Sequence, residues 1–306
     1  MITYYFRSIK EEALQKIDAI RPGAWVYVEN PTEDELDILA ESCTLERDLL
    51  QDAVDFHEVP RFDSWKGVAY FYTRFPHHHN GEMATAPILL AVTPQVVVTV
   101  SREHPAFLND YLESKTPLYT TKRTKLFLHL IEAINTVYRK KLIGIRKEVQ
   151  RSRVNLSHIR NSDIVKLITF ETTLNDFLSA LTPTYTALRT ILSGKHLELF
   201  EDDQDLMEDI QLENQQIVES AKASHKTIQN IRNSYTAIVT NNLNSVIKLL
   251  TSITVIFTIP TIIGALYGMN VPVPFADSPY IFLGIILFTM ISMIIAGYIF
   301  RRRDWM

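Results

Sequence analysis

The sequence predicts a mixed α/β domain followed by long helices, the last of which runs on into the first of two membrane-spanning helices. Three observations carry this reading. Short β-type runs are confined to residues 1 to about 115 of the 306. Between Gly194 and Pro260 there is neither a proline nor a second glycine. From Ser252 to Phe300 the only ionisable side chain, apart from tyrosines, is Asp277. The averages hide this division: the formal net charge is -4 and the mean hydropathy +0.01, values that suit an ordinary polar protein.

The β-type runs are Ile2–Phe6, Trp25–Val28, Val68–Thr73, Ile88–Val92 and Val96–Val100. Pro31-Thr32-Glu33-Asp34-Glu35 reads as a helix start, with acids in the first turn suiting the dipole. Asn80-Gly81 between two strand-like runs signals a hairpin. Cys43 is the only cysteine, which excludes an intrachain disulfide and fits a reducing compartment. Met1-Ile2-Thr3-Tyr4-Tyr5-Phe6-Arg7 lacks the basic and apolar regions of a signal peptide, so the polar part is expected in the cytoplasm.

Helical periodicity begins near Thr121 and continues to Asn155, with Leu126, Leu130, Ile134, Val137 and Leu142 on one stripe. A second helix is expected from Ser162 to Leu192, closed by Gly194 and bent or broken at Pro183. The basic stretch from Arg139 to Arg160 reads as a solvated helix face. The third helix is expected from Gln204 to Leu266, roughly 90 Å at 1.5 Å per residue. Its first two thirds are polar and its last third apolar, as a helix that begins in water and ends in lipid would be.

Two spans follow, about 246–266 and 280–300, each near the ~20 residues a hydrocarbon core needs. Lys248 marks the start of the first, and Arg301-Arg302-Arg303 follows the second directly. The positive-inside rule places both termini in the cytoplasm and the short loop outside, in the inner membrane of the cell. The expected organisation is therefore an α/β domain over 1–120, long helices and stalk over 121–242, and a membrane domain over 243–306.

Asn244, Ile247, Thr251, Thr254, Thr258, Thr261, Ala265 and Gly268 are spaced alternately three and four apart, a heptad seam on one helix face. Small and hydroxylated residues mark helix–helix contacts in membranes, which is one reading of the seam. The other is the wall of a water-filled pore. Two spans cannot enclose a conduit, so that reading requires several copies of the chain. The seam carries no acid, and Mg2+ surrenders its waters reluctantly. Hydroxyl and amide oxygens accept hydrogen bonds from a hydrated ion without stripping it, whereas a carboxylate ring would hold the ion harder and slow its exit.

At Tyr267-Gly268-Met269-Asn270, closing the first of two spans near the C-terminus, the sequence resembles the CorA family of magnesium transporters. The resemblance covers the whole chain and implies a homopentameric funnel. It implies that Gly268, Met269 and Asn270 form the selectivity filter, and it puts pore-lining positions on Asn244, Ile247, Thr251, Thr258 and Thr261. Arg301, Arg302 and Arg303 are similar to the family's basic collar at the pore mouth. Mg2+ is implied both as transported ion, with Co2+ or Ni2+ as further substrates, and as a regulatory ligand. Its sensing carboxylates fall on Asp52 and, counting back from the motif, on Asp209; a further sensor carboxylate of some members falls on Gln51. The family's external Met-Pro-Glu-Leu signature is replaced here by Val271-Pro272-Val273-Pro274-Phe275-Ala276-Asp277. The nearest alternative is a ZntB-like proton-coupled Zn2+ transporter, against which Met269 and Val271-Pro272 argue.

Nothing in the sequence signals an enzyme: there is no P-loop, G-x-S-x-G, H-E-x-x-H or nucleotide fingerprint. The expected partners are a lipid bilayer, divalent cations and further copies of the chain, with no nucleic acid. His77-His78-His79 reads first as an exposed hairpin tip and second as a Zn2+ or Ni2+ site. Without a fuel-binding site, ion movement runs down the membrane potential, worth about 2.3 kcal/mol per charge per 100 mV and twice that for a divalent ion.

Overall fold

The structure is a computed structural model, and it describes residues 1–79, 81–154, 160–193, 197, 199–271, 280–303 and 305. The chain divides into two compact units, residues 1–231 and 232–306.

The first unit is built on a seven-stranded mixed sheet. Its strands are β1 (Ile2–Phe6), β2 (Gln15–Ile17), β3 (Trp25–Glu29), β4 (Arg61–Trp65), β5 (Val68–His79), β6 (Glu82–Val92) and β7 (Val97–Ser101), ordered β2-β1-β3-β7-β6-β5-β4. Only β3 and β7 pair in parallel, with Val26 opposite Val98. The helices are α1 (Glu33–Cys43), α2 (Arg47–Asp52), α3 (Asn109–Leu112), α4 (Arg123–Val154), α5 (Asn161–Leu192), α6 (Glu201–Tyr267) and α7 (Ile281–Arg302), with a 3-10 turn at Ala106–Leu108.

Strand periodicity divides the core in two. Trp25, Phe71, Phe75, Ile88, Leu90 and Val97 point to one face and pack with Phe127, Leu174, Phe177 and Met207 of α4, α5 and α6. Val26, Tyr70, Tyr72, Leu89, Val98 and Val100 point to the other and pack with Leu36, Leu39 and Leu50 of α1 and α2. Successive residues of a strand face opposite ways, so the same valine-rich β7 serves both layers.

The helix start expected at Pro31–Glu35 is a full capping box: the Glu35 amide donates to Thr32 Oγ1 at 3.2 Å, and the Thr32 amide donates to Glu35 Oε2 at 3.0 Å. The hairpin expected at Asn80-Gly81 is formed, with His79 paired to Glu82 and Gly81 at φ +85°; Asn80 itself lies outside the described residues, as does Gly194. Of the bend or break expected at Pro183, the break does not occur, since α5 is one helix from Asn161 to Leu192. Packing outweighs the proline there. The adjoining Leu181, Thr184, Ala187 and Leu188 are buried, and Thr184 Oγ1 lies 3.0 Å from Thr73 Oγ1 of β5.

Tyr138 of α4 and Phe177 of α5 meet edge to face, ring centroids 4.9 Å apart, both fully buried. Phe177→Ala leaves a cavity on that ring, and urea unfolding followed by tryptophan fluorescence should show stability lower by about 3–5 kcal/mol.

Candidate ion pathway and regulatory segment

Among the described residues two helices are long and apolar enough to cross a membrane, α6, which ends at Tyr267, and α7, and almost none of the most apolar stretch of either is buried within the chain. They run antiparallel. Ile263, Leu266 and Tyr267 line one groove with Ile281, Gly284, Ile285 and Phe288. Toward the other end, Ile256 Cδ1 lies within 3.9 Å of where a side chain on Gly297 would begin. Ser252 is buried, and its hydroxyl donates to the Trp305 carbonyl at 3.4 Å as well as to Lys248 O at 2.8 Å. Trp305 in turn stacks on Phe300 at 5.8 Å. The tail thus folds back on α6.

The side of α6 turned to α7 is therefore Ser252, Ile256, Ile259 and Ile263, all buried or half-buried. The seam Thr251, Thr254, Thr258, Thr261 and Ala265 is exposed, as are Asn244, Ile247 and Gly268. At about 100° per residue it lies roughly 150° around the helix from the α7-facing side. Contact with α7 does not account for the seam. Its hydroxyls have a shared orientation: Thr254 Oγ1 donates to Leu250 O at 2.8 Å, Thr258 Oγ1 to Thr254 O at 2.8 Å, and Thr261 Oγ1 to Phe257 O at 3.0 Å. A hydroxyl whose proton is spent on its own backbone offers only lone pairs outward. The exposed seam is a line of acceptors.

Helix α6 ends at Tyr267, so Gly268, Met269 and Asn270 stand in the turn just beyond it, all exposed. The Gly268 amide still donates to Gly264 O at 2.9 Å, and a Cβ there would come within 3.3 Å of that same carbonyl. Residues 272–279, including Asp277, lie outside the described residues, as does Asp304. Arg301 and Arg302 end α7, and Arg303 follows; all three are exposed.

The first unit holds the segment that carries Asp52. This residue ends α2, and its Oδ2 meets Arg61 Nη2 at 2.7 Å. Arg61 also meets Asp63 Oδ2 at 2.6 Å and the Glu58 carboxylate. Gln51, the neutral residue at the further sensor position, accepts from Arg47 Nη1 at 2.8 Å. The intervening loop, residues 53–60, is held from the opposite side by Arg74 of β5. That guanidinium donates to Phe56 O at 2.8 Å and Glu58 O at 2.9 Å, and to Thr85 Oγ1 and O at 2.9 and 2.8 Å. Burial holds the Arg74 pKa below its ordinary value. Near it, burial also raises the Asp176 carboxyl, an effect that Arg74's charge opposes.

Asp209 is exposed on α6. Among the described residues no group of three or more His, Cys, Asp or Glu side chains is placed to hold a metal, and no contact joins Asp209 to Asp52 within the chain. The three histidines of the β5–β6 hairpin are divided among separate neighbours: His77 faces Glu103 at 3.5 Å, His78 faces Lys141 at 3.4 Å, and His79 lies near Phe56. The basic stretch of α4 is partly paired, with Arg139 on Glu213 at 2.9 Å and Arg151 on Glu148.

The model of the CorA-like Mg2+ transporter protein family matches residues 23–302. The chain belongs to this family. The CorA-like match takes in both units and every candidate residue named above except Arg303. The cobalt/magnesium transport protein CorA of Methanocaldococcus jannaschii is 22% identical over 293 residues, 92% of this chain and 90% of that protein. The complete structure of the CorA magnesium transporter from the same organism covers 100% of this chain and 99% of its own, with TM-score 0.87 at 20% identity. The cytoplasmic domain of ZntB from Vibrio parahaemolyticus matches more weakly, TM-score 0.65 at 12% identity, over 78% of this chain and 98% of its own. At these identities the likenesses to solved structures show the fold. Sequence reasoning missed Arg61 and Arg74, which gather the Asp52 segment; their one signal was a pair of arginines beside an acid-rich run.

Arg74→Met removes the side-chain donors to the backbone carbonyls of the 53–60 loop. Amide hydrogen exchange at residues 55–59 should then quicken about tenfold or more, while exchange in the centre of β6 stays near the parent rate.

Proposed function

We propose that the chain is a channel for divalent cations, chiefly Mg2+ and also Co2+ or Ni2+, that several copies form around their α6 seams. The observation that carries this reading is the exposed line of acceptor-only hydroxyls from Thr254 to Thr261, turned away from α7 and free of charge. Water bound to a divalent cation turns its protons outward. Such a hydrated ion seeks acceptors, and the seam offers them without a carboxylate to trap it. Apolar residues fill the rest of the helix surface there, as lipid contact requires.

A homopentamer is the assembly that the family resemblance implies, with Asn244 toward the cytoplasm and Gly268, Met269 and Asn270 as the outer selectivity ring. Asn270 would present its amide oxygen and Gly268 its carbonyl to the hydrated ion. Both termini would be cytoplasmic in an inner membrane, with Arg301, Arg302 and Arg303 forming a positive collar on that side. The 1–120, 121–242 and 243–306 divisions then correspond to sensing domain, stalk and pore. Cytoplasmic Mg2+ would bridge Asp52 of one copy and Asp209 of the next and hold the ring closed; its departure would leave like charges facing and loosen the ring.

In liposomes under an inward potential, Asn270→Ala should cut Mg2+ entry by roughly tenfold or more, the loss expected of a hydrogen bond to a charged partner. Undiminished entry would overturn the selectivity assignment. Uptake should not need a proton gradient; Zn2+ uptake that did would support the ZntB-like reading instead.

The combined Asp52→Ala and Asp209→Ala protein should still conduct at millimolar Mg2+ on the domain side. Closure at the parent concentration would show that these carboxylates are not the sensor.

A further inference from the structure

Arg61 is the cationic side chain that Asp52 meets in the structure. Its Nη2 lies 2.7 Å from Asp52 Oδ2 and its Nε 2.6 Å from Asp63 Oδ2, while Nη1 contacts the Glu58 carboxylate. Its guanidinium carbon sits 4.0 Å over the Tyr72 ring. One positive charge faces three negative ones, so the group is left with two negative charges uncompensated.

The three contacts are not equivalent. Asp52 is 43% exposed and meets Arg61 through a single oxygen–nitrogen pair, without the two-pronged geometry that makes arginine–carboxylate contacts strong. Glu58 is only 13% exposed. Asp63 stands two residues along β4, on the same face of the strand as Arg61. When the Asp52 contact opens, Glu58, Asp63 and the Tyr72 ring still retain the guanidinium.

We propose that Arg61 is a tethered competitor for the regulatory cation: it neutralises Asp52 until a hydrated divalent ion displaces it, and so sets the Mg2+ concentration at which the channel closes. This rests on the reading of Asp52 as a regulatory ligand given above. Because the competitor is held by its other contacts, its effective concentration at Asp52 is fixed, on the order of millimolar for a short tether. Divalent binding is weakened by a constant factor, which moves closure upward in concentration. A hydrated Mg2+ needs no more than this half-exposed carboxylate, since it keeps most of its own waters.

The test is Mg2+ flux through the full-length protein in liposomes, titrated with Mg2+ on the domain side. Arg61→Met keeps a stem over Tyr72 but removes the charge; the closing midpoint should fall about three- to tenfold, the range expected for losing a partly exposed competitor. Arg61→Lys, which keeps Glu58 and Asp63 paired, should shift it in the same direction by roughly twofold. In an Asp52→Asn background Arg61→Met should make no further difference. A midpoint that stays or rises in both variants, or a shift that persists with Asp52→Asn, overturns the proposal while leaving Mg2+ gating intact. A parent protein that never closes with Mg2+ refutes the gating reading itself, and this inference with it.

Discussion

Backbone satisfaction within α6 is the constraint on which the rest of the molecule depends. Sixty-seven residues from Glu201 to Tyr267 stay in one helix, so nearly every peptide group along it is paired inside its own segment. That allows the helix to carry a polar, core-packed portion and an apolar, exposed portion without a change of secondary structure, and only such a segment can enter hydrocarbon. The ladder also consumes the protons of Thr254, Thr258 and Thr261, each bonded to the carbonyl four residues back. The polarity of the seam, acceptor rather than donor, is a by-product of helicity.

Charge is handled differently in the two units. Along the seam there is none, only hydroxyl and backbone dipoles. In the Asp52 segment charges are dense and are balanced by arginines in two distinct ways. Arg74 is half-buried and binds carbonyls, so it acts as a structural clamp that fixes the loop to β5 and β6. Arg61 binds carboxylates, one of them half-exposed. The same residue type plays two parts because its acceptors differ: backbone carbonyls in one place and carboxylate side chains in the other.

Much of the fold was legible in the sequence. The five expected strands, the Pro31–Glu35 helix start and the three long helices are all present, with α6 running three residues earlier and one later than its expected span of Gln204 to Leu266. The elements that were not legible are short or peripheral: β2 has three residues, α2 has six, and the edge strand β4 reads Arg-Phe-Asp-Ser-Trp, where polar residues dilute the alternation. The break expected at Pro183 failed because a local rule met a packed environment, in which burial of the neighbouring α5 side chains outweighs one missing hydrogen bond.

The sequence by itself determined where the apolar segments lie, that a hydroxyl-rich seam runs along the first of them, and that the motif at Tyr267–Asn270 closes it. These follow from period and composition, which need no knowledge of neighbours. Only the tertiary structure decided which way that seam faces, because the direction is set by the Ser252–Trp305 and Ile256–Gly297 contacts that turn the opposite side of α6 toward α7. Only it showed that Asp52 is already partnered by Arg61, a contact that depends on β4 pairing with β5 and returning the chain beside α2. Residues nine positions apart in a loop-rich segment have no periodic relation to reveal such a contact; the sheet supplies it.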